Sequence, residues 1–168
     1  QPVFNYSCLE FYQTTFDFNQ TLTNLPAGTY QVRVQAFQRP GSYTTAYSDY
    51  VAGTDKVSTY LYANSASVKV KHIATEARTT KLGGTEASVG SPVRYIPDNM
   101  EAASKYFAKG LYDNELTTQL TSSGRSLKIG LRCSSSSDGY WSIFDNFRLY
   151  YFGDHSKDDV TGVEGIET

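Results

Sequence analysis

The stretch from 39 to 56, RPGSYTTAYSDYVAGTDK, sets Tyr43, Tyr47 and Tyr50 among Gly, Pro, Ser and Thr, with Arg39, Asp49 and Asp55 around them. A phenol ring presents a flat apolar face and a polar tip. That combination suits a saccharide, whose C–H faces stack on rings while its hydroxyls pair with planar groups such as Asp, Asn and Arg. The stretch has no regular periodicity and reads as a loop, and connections longer than about 12 residues are usually functional or disordered. Tyrosines that only hold a long loop against the body of the protein are the competing reading. Tyr140 follows the polar connector Ser134–Gly139 and is a further ring candidate, whereas Trp141 falls in the phase of a core residue. Asn64, Asn114 and Arg132 are polar candidates without a spacing argument. The predicted binding set is Arg39, Tyr43, Tyr47, Asp55, Asn64 and Tyr140.

Signals for catalysis are poor. His72 falls in a strand pattern and His155 near the C-terminal end, so no His-based triad or HExxH site emerges. GxSxG, P-loop and GxGxxG motifs do not occur. A glycosidase would need two carboxylates about 5–5.5 or 6.5–9.5 Å apart. Glu10, Asp49, Asp55, Glu101, Glu115 and Asp138 are available, but sequence spacing does not pair them. A non-enzymatic protein is expected. The net charge is −2 and Lys and Arg form no stripe, which argues against nucleic acid. No apolar run approaches ~18 residues, so no membrane insertion is expected. Cys8 and Cys133 lie outside any CxxC pair. They make either one long-range disulfide or two buried thiols, and their position among strand residues favours the thiols.

The elements that must position these groups are strands. Fourteen Tyr and nine Phe against one Trp and one Met favour pleated, half-buried surfaces. Apolar and polar residues alternate in Tyr30–Ala36, Ser67–Ile73 and Ser126–Cys133, and further strands are predicted near 4–12, 15–23, 57–63, 112–120 and 141–152. One packed and one solvated side is the pattern of antiparallel sheets, and this many strands predict an all-β antiparallel β-sandwich. Unbroken alternation in the last strand places Trp141, Ile143, Asp145, Phe147 and Leu149 on one face. Asp145 then becomes a buried carboxylate that must be paired, hydrogen-bonded or metal-bound.

One short helix is predicted, capped by Asp98 with Glu101 in a capping box and ended by Gly110. Met100, Ala103 and Phe107 give it an apolar stripe to plug one end or side of the sandwich. Residues 79–97 read as loop. Periodicity is lost after Gly153, which divides the chain into a 1–153 sandwich module and a 154–168 linker or disordered tail. The start inside a strand-like run reads as a piece of a longer precursor.

Four phrases carry a family resemblance: LPAGTYQVRVQAFQR (Leu25–Arg39), LYAN (Leu61–Asn64), YIPDNMEAASKYFAKGLY (Tyr95–Tyr112) and WSIFDNFRLYYFG (Trp141–Gly153). Together they span roughly residues 10–153. The chain resembles galactose-binding-like jelly-roll modules, similar to the carbohydrate-binding modules appended to glycoside hydrolases and surface proteins of Gram-negative polysaccharide degraders. The resemblance implies a glycan or polysaccharide ligand, an adjacent domain in the same chain, and a secreted, periplasmic or outer cell-surface location. It also implies that Asp145 is a structural calcium ligand, with Glu10, Asp17 or loop carbonyls completing the shell. The alternative is that Asp145 accepts loop N–H groups and holds no metal. A structural or protein-interaction spacer is the alternative function, because one fold serves many tasks.

Overall fold

The computed structural model describes residues 8–154 and the backbone of Ile166–Glu167. In chain order the elements are β1 (Leu9–Tyr12), β2 (Phe16–Leu25), β3 (Gly28–Arg39), α1 (Tyr43–Val51), β4 (Thr59–Ala63), β5 (Ala66–Lys69) and β6 (Lys71–His72). A 3-10 turn at Ile73–Glu76 leads to β7 (Glu86–Val89), β8 (Arg94–Pro97), α2 (Met100–Ala108), β9 (Asp113–Leu120), β10 (Arg125–Cys133), β11 (Trp141–Tyr151) and β12 (Ile166–Glu167). The strand expected from residue 4 and most of the expected tail lie partly outside the described residues.

Two sheets face each other. The first runs β1-β11-β3, with β9 paired along Gly28–Gln35 of β3, β6 along Phe37–Gln38, and β12 on the far end of β11. The second runs β2-β10-β4-β5. Among the described strands every pairing is antiparallel except β3 with β6. The predicted all-β sandwich is thus the fold. Val32, Val34 and Ala36 of β3 meet Leu61 of β4, Leu127 and Leu131 of β10 and Phe144 of β11 in the core between the sheets. Burying such side chains contributes about 1.5–3 kcal/mol each.

A second core lies on the other side of the first sheet. Phe37, Trp141 and Ile143 pack there against Tyr106 and Phe107 of α2, Tyr112, and Ile96 of β8. The end of β3 nearest Arg39 is therefore covered on both faces, and α2 lies on a sheet face.

Four expectations need correction. The 39–56 stretch is not a loop throughout: α1 forms, with Ser42 accepting the Thr45 N–H at 3.2 Å and Ala46 wholly buried. Its Thr and Tyr content gives weak helix propensity, which capping and burial override. Residues 79–97 contain the β7–β8 hairpin. The cap of α2 is Asn99, whose Oδ1 accepts the Ala102 N–H at 2.8 Å, and not Asp98, which pairs with Arg39 instead.

The fourth concerns β11. Asp145 opposes Gln35 and Arg148 opposes Arg33, so three steps on β11 match two on β3. The extra residue is a β-bulge, with Asn146 at φ +57°. It reverses the phase of the strand: Trp141 and Ile143 face the helical layer, while Phe147 and Leu149 join the core between the sheets. Asp145 is half-buried rather than sealed in.

Candidate functional site

The predicted binding residues do not converge on one place. Tyr43, Tyr47 and Tyr50 all stand on α1, and Tyr43 is exposed at its start. Tyr47 is half-buried and lines a groove between α1 and the β7–β8 turn. Asp55 accepts the Val57 N–H at 3.0 Å and pairs with Lys69, and with Tyr50 and His72 it borders a separate hollow of about 330 Å³. Asn64 sits in the left-handed region at φ +52° in the β4–β5 turn. Its side chain accepts the Lys128 N–H and donates to the Ser126 carbonyl, so it ties that turn to β10. Tyr140 is half-buried, and its carbonyl accepts the Gln13 N–H.

Arg39 is the most constrained of the set. It is 9% exposed and ends β3, the central strand of the first sheet. Its Nε donates to the Gly41 carbonyl at 2.9 Å, one terminal nitrogen to Asp98 Oδ1 at 2.8 Å, and the other to the Gly139 carbonyl at 3.1 Å. The guanidinium lies 5.3 Å over the Trp141 ring, a cation–π distance. Trp141 in turn donates its Nε1–H to Glu10 Oε2 at 2.9 Å. Gly139 makes this closeness feasible, since a Cβ there would come within 2.8 Å of the Gly41 backbone and its φ is +80°.

These groups edge a hollow of about 400 Å³ that also takes in Tyr12, Asn99 and Met100. Tyr12 is 55% exposed on edge strand β1, so its ring is open to a ligand. The Arg39 charge is matched by Asp98, which leaves Glu10 to give the hollow a net acidic character. Two carboxylates can accept hydroxyl protons, the Asn99 amide can donate through Nδ2, and the open Tyr12 ring offers a face for an apolar C–H surface to stack on. The sequence reading found Arg39 here. It treated Asp98 as a helix cap, kept Glu10 for a metal shell, and missed Tyr12, Asn99 and Met100. No local signal joins them, because they come from four separate segments that only the fold brings together.

Asp145, the expected calcium ligand, stands apart from Glu10 and Asp17 in its contacts. Among the described residues no group of three or more His, Cys, Asp or Glu gathers as a metal site. Asp145 accepts the Asn146 N–H and lies 3.9 Å from the Cys8 thiol. Glu10 holds Trp141, and Asp17 accepts the Tyr62 hydroxyl at 2.5 Å on the second sheet. Cys8 and Cys133 are buried free thiols, and burial with Asp145 and Glu10 nearby pushes the Cys8 thiol up to about 12. Among the described residues no helix is long and apolar enough to cross a membrane. Comparison with protein-family models, curated proteins and solved structures finds no match to this chain.

Proposed function

We propose that this chain is a non-catalytic carbohydrate-binding module of a larger exported protein, a jelly roll of the galactose-binding-like kind, and that the Arg39 hollow is its sugar site. One observation carries the reading: an open tyrosine ring stands beside two carboxylates, Asp98 held by Arg39 and Glu10 held by Trp141. A ring face and fixed planar acceptors are what a neutral sugar asks of a protein, and preorganisation lowers the cost of binding. A shallow, wet site of this kind binds weakly. Glycan and an adjacent domain of the same chain are the proposed partners.

The test is retention of the isolated chain on a panel of immobilised polysaccharides, with Tyr12→Ala beside the parent. Retention on one polysaccharide class, weakened at least fivefold by Tyr12→Ala with an unchanged Tm, supports the site. Retention unaffected by Tyr12→Ala moves the site elsewhere. No retention on any polysaccharide favours a spacer or protein-interaction domain. For that second reading, the exposed Leu9 and Phe18 on edge strands β1 and β2 are the surface to examine.

A further inference from the structure

The groove between α1 and the β7–β8 turn differs in chemistry from the Arg39 hollow. It measures about 550 Å³. One wall is α1, where Thr44, Ser48 and Val51 follow at helical spacing and share a stripe with Tyr47 beside them. The opposite wall is the turn after β7, with Ser91, Pro92 and then Arg94 at the start of β8. Tyr47 is seated on the turn: a Cβ on Gly90 would come within 2.7 Å of its ring, so only glycine lets the ring lie there. The groove therefore has a fixed aromatic wall, apolar surface from Val51 and Pro92, and several hydroxyls.

Its charge balance is one-sided. Among the described residues no Asp or Glu lines it, and its single charged side chain is Arg94. Arg94 donates one N–H to the Val93 carbonyl at 3.0 Å and joins no ion pair among the described residues. Arg33, Arg39 and Arg148 each face a carboxylate. A guanidinium with open donors binds a carboxylate through two parallel hydrogen bonds, and flanking hydroxyls can hold the rest of a polar ring. The volume accommodates a sugar-sized body, and the Tyr47, Val51 and Pro92 surfaces suit its C–H face.

We infer that this groove is a second binding site, selective for a carboxylated sugar unit. Arg94 holds the carboxylate, the Thr44, Ser48 and Ser91 hydroxyls hold ring hydroxyls, and Tyr47 supports the apolar face. The Arg39 hollow, with Glu10 and Asp98 at its edge, repels such a unit. The inference goes beyond the function proposed above and stands whether or not that hollow binds sugar.

The test is a backbone and arginine side-chain NMR titration of the whole chain. The probes are glucuronate, galacturonate, their neutral parents glucose and galactose, and acetate. The expected result is saturable shifts at Gly90, Ser91 and Arg94 with at least one uronate, about tenfold tighter than with its neutral parent. Acetate should shift only the Arg94 side chain, and more weakly. Arg94→Gln should abolish the preference for the acid, Arg94→Lys should retain part of it, and Tyr12→Ala should leave it unchanged. Equal affinity for acid and neutral parent, shifts confined to the Tyr12 hollow, or no saturable shift at Gly90–Arg94 would overturn the inference. Acetate binding as tightly as uronate would show a simple anion site and would also overturn it. The comparison of acid with parent is made on the unaltered chain, so a variant that fails to fold does not blunt it.

Discussion

Arg39 engages three backbone or carboxylate acceptors from three segments, the start of α1, the turn before β11 and the approach to α2. A guanidinium suits this task because its donors diverge in one plane, whereas an ammonium is a point charge. Arg39→Ala should therefore destabilise the chain by about 2–4 kcal/mol, because it leaves Asp98 without its partner and two carbonyls without donors. Urea unfolding checks this, and a loss within 0.5 kcal/mol would mean the pair is only decorative. At the two cysteines burial controls reactivity. Both thiols should resist alkylation in the native protein and react once it is unfolded, since the attacking species is the thiolate and Cys8 is held protonated. Mass spectrometry before and after denaturation reads the outcome.

Helix α2 shows how a single side chain sets an element's start. Asn99 accepts the Ala102 N–H, and the apolar side of the helix then buries Ala103, Tyr106 and Phe107. Asn99→Ala should cost about 1 kcal/mol, visible as a lower denaturant midpoint with an unchanged slope. The β11 bulge works at the same scale. Were the strand to run through Asn146 in regular alternation, with no bulge, Arg148 and Tyr150 would turn into the core between the sheets, and Phe147 and Leu149 would leave it. Instead Arg148 reaches Asp113 of β9 at 2.7 Å, and Arg33 stands over the Tyr150 ring at 5.6 Å. The bulge thus lets one strand serve a double-faced core at one end and a half-solvated face at the other.

Across the molecule, the layer of α1, α2 and the β7–β8 hairpin buries groups that a two-sheet sandwich would leave wet. His72 is one of them: it is 6% exposed, accepts the Ala74 N–H at Nδ1, and is held below its ordinary pKa of 6.5 by burial, against the pull of Asp55 and Asp49. The folded form keeps the ring neutral while the unfolded chain takes up a proton near 6.5. The unfolded state therefore binds more protons in that range. Stability is fullest above pH 6.5 and declines as pH falls through the lower, folded pKa. A stability–pH profile should show this decline as pH falls below about 6.5, and His72→Gln should flatten it. A flat parent profile over the same range would refute the assignment.

Alternation along Tyr30–Ala36 and Ser126–Cys133, repeated in strand after strand, pointed to antiparallel sheets in a sandwich, because a period of two with one apolar side must bury that side against another layer. Met100, Ala103 and Phe107 likewise marked α2, since their spacing follows a helix turn. Arg39 was legible as a polar group near a turn, but its partners were not. Tyr12, Glu10, Asp98 and Trp141 are far apart in the chain and meet only because β1, β3 and β11 are neighbours in the first sheet and α2 caps its face. Helix α1 was hidden for a related reason: its residues favour no conformation strongly, and burial of Ala46 decided the matter. Asn146 changed the facing of everything after it in β11, which pattern alone cannot register. Local periodicity acts between near neighbours and survives in one dimension. The sites depend on contacts across the sheets and on a one-residue bulge, and those exist only once the chain has closed on itself.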